Sequence, residues 1–219
     1  MIVSRDWQHF RSLRWGRSQP GAVLWWTCSP IGQFVVCDEL KFSQMDPAEV
    51  VAEVKKKDAI LRMRDPSRYF AAEPKLWEID DENAPTIAEM FARAGLPLRK
   101  SSGDRVQGWN QLSALMKLTV TDPAIHNDAP RPALVIAENC AQLRRLIPLL
   151  REGQGAGVNA KEDIDTKTES ALVEALRVGA MSRPWRTYVT PVTPSADQMG
   201  HALEQARARS MQSDATVII

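Results

Sequence analysis

Carboxylates at predicted strand ends or on a predicted helix are the residues of this sequence best suited to hold a divalent metal ion. Glu73 stands directly before Pro74 at the end of a short apolar run, and Asp38 and Glu39 end the second of two β-rich runs. Mg²⁺ and Mn²⁺ prefer oxygen ligands, so these carboxylates are candidate ligands for such an ion. For Glu73 the alternative is a strand-end carboxylate with no role at a metal, for Asp38 an exposed strand terminus, and for Glu174 a solvated helix position.

Basic residues form a second candidate site, suited to phosphate groups. The candidates are Lys55, Lys56, Lys57, Arg62, Arg64, Arg68, Arg99, Lys100 and Arg105. Lysine and arginine neutralise the phosphates of nucleic acids. A solvated helix face is the alternative for the first part of this stretch. The formal net charge of the chain is +1, so any site for a polyanion must be a local patch.

Several other kinds of site are excluded by the sequence. The three cysteines (Cys28, Cys37 and Cys140) form no CxxC pair, and the three histidines are dispersed, so no zinc site is predicted. The glycines of 153–157 precede no Gly-Lys-Ser/Thr, so no phosphate-binding loop is predicted. We recognise neither a signal peptide nor an apolar run of membrane-spanning length. These features, with few cysteines, are typical of a cytoplasmic globular protein.

The elements that must position these side chains follow an α/β pattern. Two β-rich runs, 21–28 and 33–40, flank a Pro/Gly turn and predict a hairpin. Further strands are predicted at 68–72, 96–99 and 133–137, and helices at 47–62, 85–94, 104–118, from 141 through Leu150, and at 166–181. Glycine-rich residues 152–160 predict a loop. The pattern favours a mixed sheet that starts with an antiparallel hairpin and is flanked by helices.

Three separated segments carry a family resemblance. Residues 12–21 (SLRWGRSQPG) resemble a first strand in which an apolar residue, Asp, an aromatic residue and Gly precede a hairpin. Residues 71–77 (AAEPKLW) resemble an Ala-Asp-Pro strand end. Residues 162–179 contain Glu174-Ala-Leu-Arg177, and resemble a last helix whose Asp stands two residues before Leu and three before Arg. In this order the segments resemble the C-terminal nuclease domain of phage terminase large subunits, an RNase H-like domain.

The resemblance implies an RNase H-like fold and a metal-dependent DNA endonuclease that uses Mg²⁺ or Mn²⁺. It implies that Glu73 and Glu174 hold the metal, with Asp38 or Asp165 as helpers. The implied partners are double-stranded DNA, a portal or small terminase subunit, and a separate ATPase domain. The implied location is the cytoplasm of a bacterial host. It also implies that residues 1–13 correspond to an interdomain linker, residues 14–182 to the nuclease-type domain, and 183–219 to a loosely attached tail.

The candidate catalytic positions depart from the family pattern. Arg14 stands where the first Asp is expected, and a guanidinium stays charged and cannot bind a cation. Glu73 and Glu174 keep the charge of Asp on a side chain one methylene longer. Ser170 replaces a residue that is often acidic, and Ala171 replaces a common His. We predict that Arg14 pairs with Glu73 or Glu174; the alternative is a shift of strand register that brings in another acid.

Three functional hypotheses follow. The first is a terminase-type nuclease domain, catalytically impaired by Arg14. The second is a non-catalytic domain that retains the fold and binds DNA or a packaging partner. The third is another RNase H-like nuclease, such as a resolvase or recombinase, which the Ala-Asp-Pro-like segment argues against. A catalytic site requires Arg14 to turn aside, whereas a binding domain allows Arg14 to bond to an acid. For Asp163 and Asp165, N-capping of the last helix is the alternative to a role at the metal.

Overall fold

The computed structural model describes residues 7–16, 19–62, 69–79, 83–150 and 170–182. The strands are β1 (Gln8–Arg14), β2 (Gly21–Cys28), β3 (Phe34–Phe42), β4 (Phe70–Ala72), β5 (Arg99–Lys100), β6 (Thr119–Val120), β7 (Arg131–Pro132) and β8 (Leu134–Ile136). The α-helices are α1 (Pro47–Leu61), α2 (Ile87–Arg93), α3 (Arg105–Lys117), α4 (Ala141–Leu146) and α5 (Ala171–Ser182). The α/β class predicted from the sequence is confirmed.

Six strands form one mixed sheet in the order β5-β4-β1-β2-β3-β8. The pairs β1–β2 and β2–β3 are antiparallel, so the sheet contains the predicted hairpin. The pairs β1–β4, β4–β5 and β3–β8 are parallel. Strands β6 and β7 form a separate antiparallel pair. Because β1, β4 and β5 run in the same direction, their carboxyl ends meet at one edge of the sheet.

Helices cover the two faces of the sheet. Helices α3, α4 and α5 pack on the face that carries Phe10, Leu24 and Trp26. Helices α1 and α2 pack on the opposite face, against Leu13 and Trp25. Alternation of side chains along β1 therefore sends Ser12 and Arg14 towards α5, and Leu13 towards α1.

Capping side chains explain where α1 and α3 begin, and a glycine follows the end of α2. The Asp46 side chain accepts a hydrogen bond from the Glu49 N–H, and the Glu49 carboxylate accepts one from the Asp46 N–H, which completes a capping box for α1. Asp104 caps α3 by accepting from the Gln107 N–H. Gly95 has φ +87° after α2, a left-handed conformation that glycine adopts without strain.

The beginning of the chain differs from the prediction. Residues 8–13, assigned to a lead-in, form most of β1, a strand paired on both sides within the sheet. Arg11 and Arg14 obscure the strand pattern, because charged residues are rare in interior strands. Arg11 is fully buried and donates to Asp58 at 2.8 Å, which also accepts from the Trp25 indole at 2.8 Å. This buried pair ties α1 to the sheet.

Most other predicted bounds agree with the structure to within a few residues. The helix predicted from 141 through Leu150 ends at Leu146 and is followed by a 3-10 turn over Ile147–Leu149. The strand predicted at 96–99 is displaced to Arg99–Lys100. The loop at 152–160, the first residues of the last helix (166–169) and the tail at 183–219 lie outside the described residues. Within the described ranges, no helix has the length and apolar character needed to cross a membrane.

Candidate functional site at the ends of β1 and β4

The carboxyl ends of β1 and β4 bring two predicted site residues together. Ser12 pairs with Ala71 and Leu13 with Ala72 in the parallel ladder, so Arg14 and Glu73 come next to each other as the two strands end. Pro74 follows directly and begins a short 3-10 helix (Pro74–Trp77), because proline cannot extend the hydrogen-bonded ladder. The arrangement of strands thus fixes Glu73 at the edge of the sheet under α5.

Arg14 and Glu73 form a direct ion pair. Arg14 Nη1 donates to Glu73 Oε2 at 2.8 Å, and Arg177 Nη2 donates to the other oxygen, Oε1, at 2.9 Å. The predicted pairing of Arg14 with one of the candidate acids is therefore present. Both oxygens of Glu73 accept charge-assisted hydrogen bonds, which are stronger than neutral ones.

Glu174 lies on the sheet-facing side of α5 and is also held by two arginines. Arg177 donates from Nε at 3.1 Å, and its Nη2 lies 3.0 Å from the same oxygen, Oε2. Arg105 Nη1, from the first turn of α3, donates to Glu174 Oε1 at 3.1 Å. Side chains of Glu174 and Arg177 are only 1% and 2% exposed. We call the five residues Arg14, Glu73, Arg105, Glu174 and Arg177 the arginine–glutamate cluster.

Helix α3 supports the cluster through Arg177. A Cβ atom at Gly108 would lie 2.7 Å from Cγ of Arg177, so only glycine lets α3 approach this side chain so closely. The Arg177 guanidinium lies 5.8 Å from the centre of the Trp109 ring, a cation–π distance. Helix packing therefore holds Arg177 between the two carboxylates.

The electrostatics of the cluster do not fit a divalent metal site. Three guanidinium groups surround two carboxylates, which gives the cluster a formal charge of +1, and each carboxylate oxygen already accepts from an arginine. Among the described residues, no group of three or more His, Cys, Asp or Glu side chains is arranged to hold a metal. A metal ion would have to displace arginines and enter a positively charged site.

The helper carboxylates predicted from the sequence do not join the cluster within the described residues. Asp38 lies on β3, two strands away from β1, where it accepts from Lys57 Nζ at 2.8 Å. Glu39 caps α4 by accepting from the N–H groups of Gln142 and Leu143 at 2.8 and 2.9 Å. Both acids therefore have structural partners, so Asp38 as a metal ligand is a prediction that the geometry does not support. Asp165 lies outside the described residues.

The predicted phosphate-binding residues divide between two places. Lys55, Lys56 and Lys57 lie on α1, and Arg62 follows it, on the face of the sheet opposite α5. Lys55 donates to the Ala94 carbonyl at 3.0 Å, and Lys56 pairs with Glu53 at 2.6 Å. Arg64 lies outside the described residues.

Of the four remaining basic candidates, Arg68 lies outside the described residues, Arg105 belongs to the cluster, and Arg99 and Lys100 lie near it. Arg99 and Lys100 form β5, and Lys100 pairs with Ala72, the residue before Glu73. Arg99 lies 5.3 Å from the centre of the Tyr69 ring, and Lys100 lies 5.8 Å from that of Trp77. Both side chains are exposed. The structure thus separates one basic pair beside the cluster from the basic residues of α1.

Sequence reasoning gave no role in the site to two members of the cluster. Arg177 entered only as the arginine of the last-helix segment, and Arg105 only as a candidate for phosphate. A signal for Arg177 existed, because it follows Glu174 by three residues on one helix, the spacing that lets side chains meet. No local signal connects Arg105 to Glu174, since 69 residues separate them.

Solved structures with the same fold are nuclease domains of phage large terminases. The nuclease domain of the P22 large terminase is 14% identical, with a TM-score of 0.60, and the match covers 83% of this chain and 84% of that one. The large terminase nuclease domain of phage SPP1 with bound Mn is 14% identical, with a TM-score of 0.51 over 78% of this chain and 84% of that one.

A longer structure also matches. The large terminase of the thermophilic phage D6E is 13% identical, with a TM-score of 0.57 over 80% of this chain. The match spans only 40% of the length of the D6E protein. No protein-family model matches the sequence, and no curated protein matches it significantly. The RNase H-like fold of the terminase nuclease domains, predicted from the three segments, is confirmed.

Proposed function

We propose that this domain is a terminase-type nuclease fold that binds double-stranded DNA in a packaging assembly and does not cleave it. The observation that carries the proposal is the 2.8 Å hydrogen bond from Arg14 to Glu73. It joins Arg14, which stands in place of the expected first-strand Asp, to Glu73, which stands in place of the Asp of the Ala-Asp-Pro strand end. The bond thus occupies a carboxylate on which a metal would depend.

Two physical effects support the loss of cleavage. The first is the missing ligand: Arg14 contributes no oxygen, so two of the three acids of the pattern, Glu73 and Glu174, have counterparts among the described residues. The second is repulsion, because a divalent cation would approach three guanidinium groups at short range, where electrostatic energies are large. Both effects act on binding of the metal and therefore precede any chemistry.

Arginine–carboxylate bonds also stabilise the cluster in the absence of a metal. A buried carboxylate without a counter-charge is costly, and the neighbouring arginines remove that cost here. The cluster therefore keeps α5 and α3 on the ends of β1 and β4 in the arrangement that a metal site would otherwise stabilise. A domain with this edge intact can still present a DNA-binding surface.

We infer the binding partners of the domain from the solved structures that share its fold. The solved neighbours are named as large terminases, and the P22 and SPP1 matches as their nuclease domains. We infer DNA as the ligand, with portal, small terminase subunit and an ATPase domain on another chain or segment as the assembly, inside a bacterial host cell. We expect the cluster to bind Mg²⁺ or Mn²⁺ only in a variant in which an acidic residue replaces Arg14.

Plasmid cleavage in Mn²⁺ tests the proposal. We expect wild-type protein to leave supercoiled plasmid intact, and an Arg14→Asp variant to nick it, because Asp restores the missing ligand and removes one positive charge. Arg14→Gln is the matched control: it removes the same charge without adding a carboxylate, and we expect it to be inactive. Circular dichroism establishes that each variant is folded.

Two results would argue against the proposal in different ways. Cleavage by wild-type protein that stops with EDTA and with Glu73→Gln would show an active nuclease, the first hypothesis from the sequence. Inactivity of a folded Arg14→Asp variant that also binds no Mn²⁺ would remove the assignment of Glu73 and Glu174 as former metal positions. The resolvase or recombinase hypothesis has no observation in its favour.

A further inference from the structure

We propose that the arginine–glutamate cluster is itself a phosphate-binding site, in which guanidinium groups contact a phosphate directly without a metal. The inference rests on the proposed function, since it places the contact with the ligand at the former catalytic edge. The chemical class is a phosphate monoester or diester anion, supplied by a nucleic-acid backbone or by a free phosphate.

The exposures of the side chains give the cluster a positive outer side. Arg14 and Arg105 are 26% and 35% exposed, whereas Glu73 and Glu174 are 13% and 1% exposed. Within the described part of the chain, the arginine of each of these two pairs is thus more exposed than the carboxylate that it binds. Planar guanidinium groups match the oxygens of a phosphate and bind it by paired, charge-assisted hydrogen bonds.

Buried donors at this edge lack acceptors within the described part of the chain. Arg177 is 2% exposed, and its Nη1 has no hydrogen-bond partner there. Ser101 is 8% exposed, and its hydroxyl also has none. Ser101 follows β5 and donates its N–H to the Ala72 carbonyl, so it lies beside Glu73. Unsatisfied buried donors are uncommon, and an anionic ligand supplies the acceptors they lack.

The residues around the cluster also favour an anionic ligand. Arg177 Nη1 lies 3.3 Å from where a Cβ at Gly108 would be, against the first turns of α3. Arg99 and Lys100 on β5 continue the positive charge along the edge. A chain of phosphates could therefore meet successive basic groups.

Duplex binding in EDTA is the first test. Fluorescence anisotropy of a labelled duplex, measured at several salt concentrations, compares wild type with Arg14→Gln and Arg105→Gln. We expect each variant to bind roughly tenfold more weakly and to lower the salt slope by about 1. Lys117→Gln is the matched control, since Lys117 is exposed at the far end of α3, twelve residues or about 18 Å from Arg105.

Inorganic phosphate provides the second arm and distinguishes the two sources of phosphate. It is titrated into wild type and Arg14→Gln while NMR follows the indole N–H of Trp109, assigned with Trp109→Phe, because Trp109 lies beside Arg177. A shift that saturates in wild type and is lost in Arg14→Gln supports a site for free phosphate. Arginine-dependent duplex binding without that shift supports the nucleic-acid backbone as the source.

The inference is overturned if Arg14→Gln and Arg105→Gln match Lys117→Gln in duplex binding and phosphate leaves Trp109 unchanged. Wild-type binding that persists in all variants would place the DNA contact elsewhere and leave the proposed function standing. Cleavage of the duplex by wild type once Mn²⁺ is added would instead overturn the proposed function. The failures of the two proposals are therefore distinguishable.

Discussion

Arg14 and Glu73 end neighbouring strands on the same face of the sheet, and their contact determines which chemistry this edge supports. A carboxylate that already accepts two guanidinium hydrogen bonds is a poor ligand for a further cation, because the arginines must first be displaced. Glu174 is held in the same way by Arg105 and Arg177. At the scale of residues, the site is therefore an ion-pair network, and its stability depends on every charge having a partner.

Glu174→Gln tests how strongly the network holds the fold. The amide keeps the size of the side chain but removes the charge that faces Arg105 and Arg177. Arg177 retains Glu73, so we expect a loss of about 2 kcal/mol in the free energy of unfolding, measured by urea denaturation. Glu53→Gln is the control, since Glu53 forms an exposed pair with Lys56 and its loss should cost under about 1 kcal/mol. Equal effects of the two substitutions would contradict the buried network.

The cysteines give a second prediction at this scale. Burial raises the pKa of Cys28 to about 11, and that of Cys37 and Cys140 to about 12. The reactive thiolate is therefore scarce in the folded protein at pH 8, whereas unfolding returns each pKa to its ordinary value. We expect thiol reagents to modify the native chain far more slowly than the chain in urea. Equally fast modification of all three thiols without urea would contradict this.

At the scale of elements, α5 is the part of the described chain on which the site depends most. It lies against β1 and β2 and against α3, and residues Leu172–Ala180 are buried along its whole length. Gly179 allows this approach because a Cβ there would lie 2.3 Å from the Trp26 ring. Trp26 in turn donates from its indole to Ser12 on β1 at 2.8 Å. The position of Glu174 and Arg177 is thus set by close contact between a helix and the sheet.

Gly179→Ala tests this contact. In an exposed helix the same change stabilises by about 0.5–1 kcal/mol, but here the added methyl meets the Trp26 ring, and overpacking costs about 1–3 kcal/mol. We expect a net loss of stability in urea denaturation. Asn110→Ala on the exposed side of α3 serves as the control and should be neutral or slightly stabilising. A Gly179→Ala variant as stable as wild type would mean that α5 lies farther from the sheet.

Much of this fold could be predicted from local patterns. The hairpin, the capped starts of α1 and α3 and the glycine after α2 each have a signal within a few residues. The start of β1 lacked such a signal, because Arg11 is buried by a partner on α1 that lies 47 residues away. The pair β6–β7 was not predicted, because strands of two residues are too short to show an alternation of apolar and polar residues.

The candidate site could be predicted only in part for the same reason. The three segments of the resemblance pointed to Arg14, Glu73 and Glu174, which the fold brings together. The roles of Arg105 and Arg177 depend on how α3 packs against α5, and that packing depends on contacts between distant segments. Asp38 looked available from the sequence, yet Lys57 on α1 neutralises it. Whether an acid is free or paired is a property of the folded chain.

At the scale of the whole molecule, charge is distributed locally. The chain has a formal net charge of +1, so its net charge contributes little attraction towards DNA. The basic residues of α1 and those of β5 lie on different parts of the sheet, and only the latter adjoin the cluster. We therefore expect any metal-independent contact with phosphate to concentrate at the ends of β1, β4 and β5.

Binding of Mn²⁺ tests the central claim most directly, because the claim concerns the cluster before any reaction. Electron paramagnetic resonance measures free Mn²⁺ as protein is added, with wild type beside Arg14→Asp and the charge control Arg14→Gln. We predict that wild type and Arg14→Gln leave the signal of free Mn²⁺ unchanged, while Arg14→Asp reduces it. Stoichiometric Mn²⁺ binding by wild type that disappears in Glu73→Gln would contradict the account, since it would show that the arginines yield to a metal.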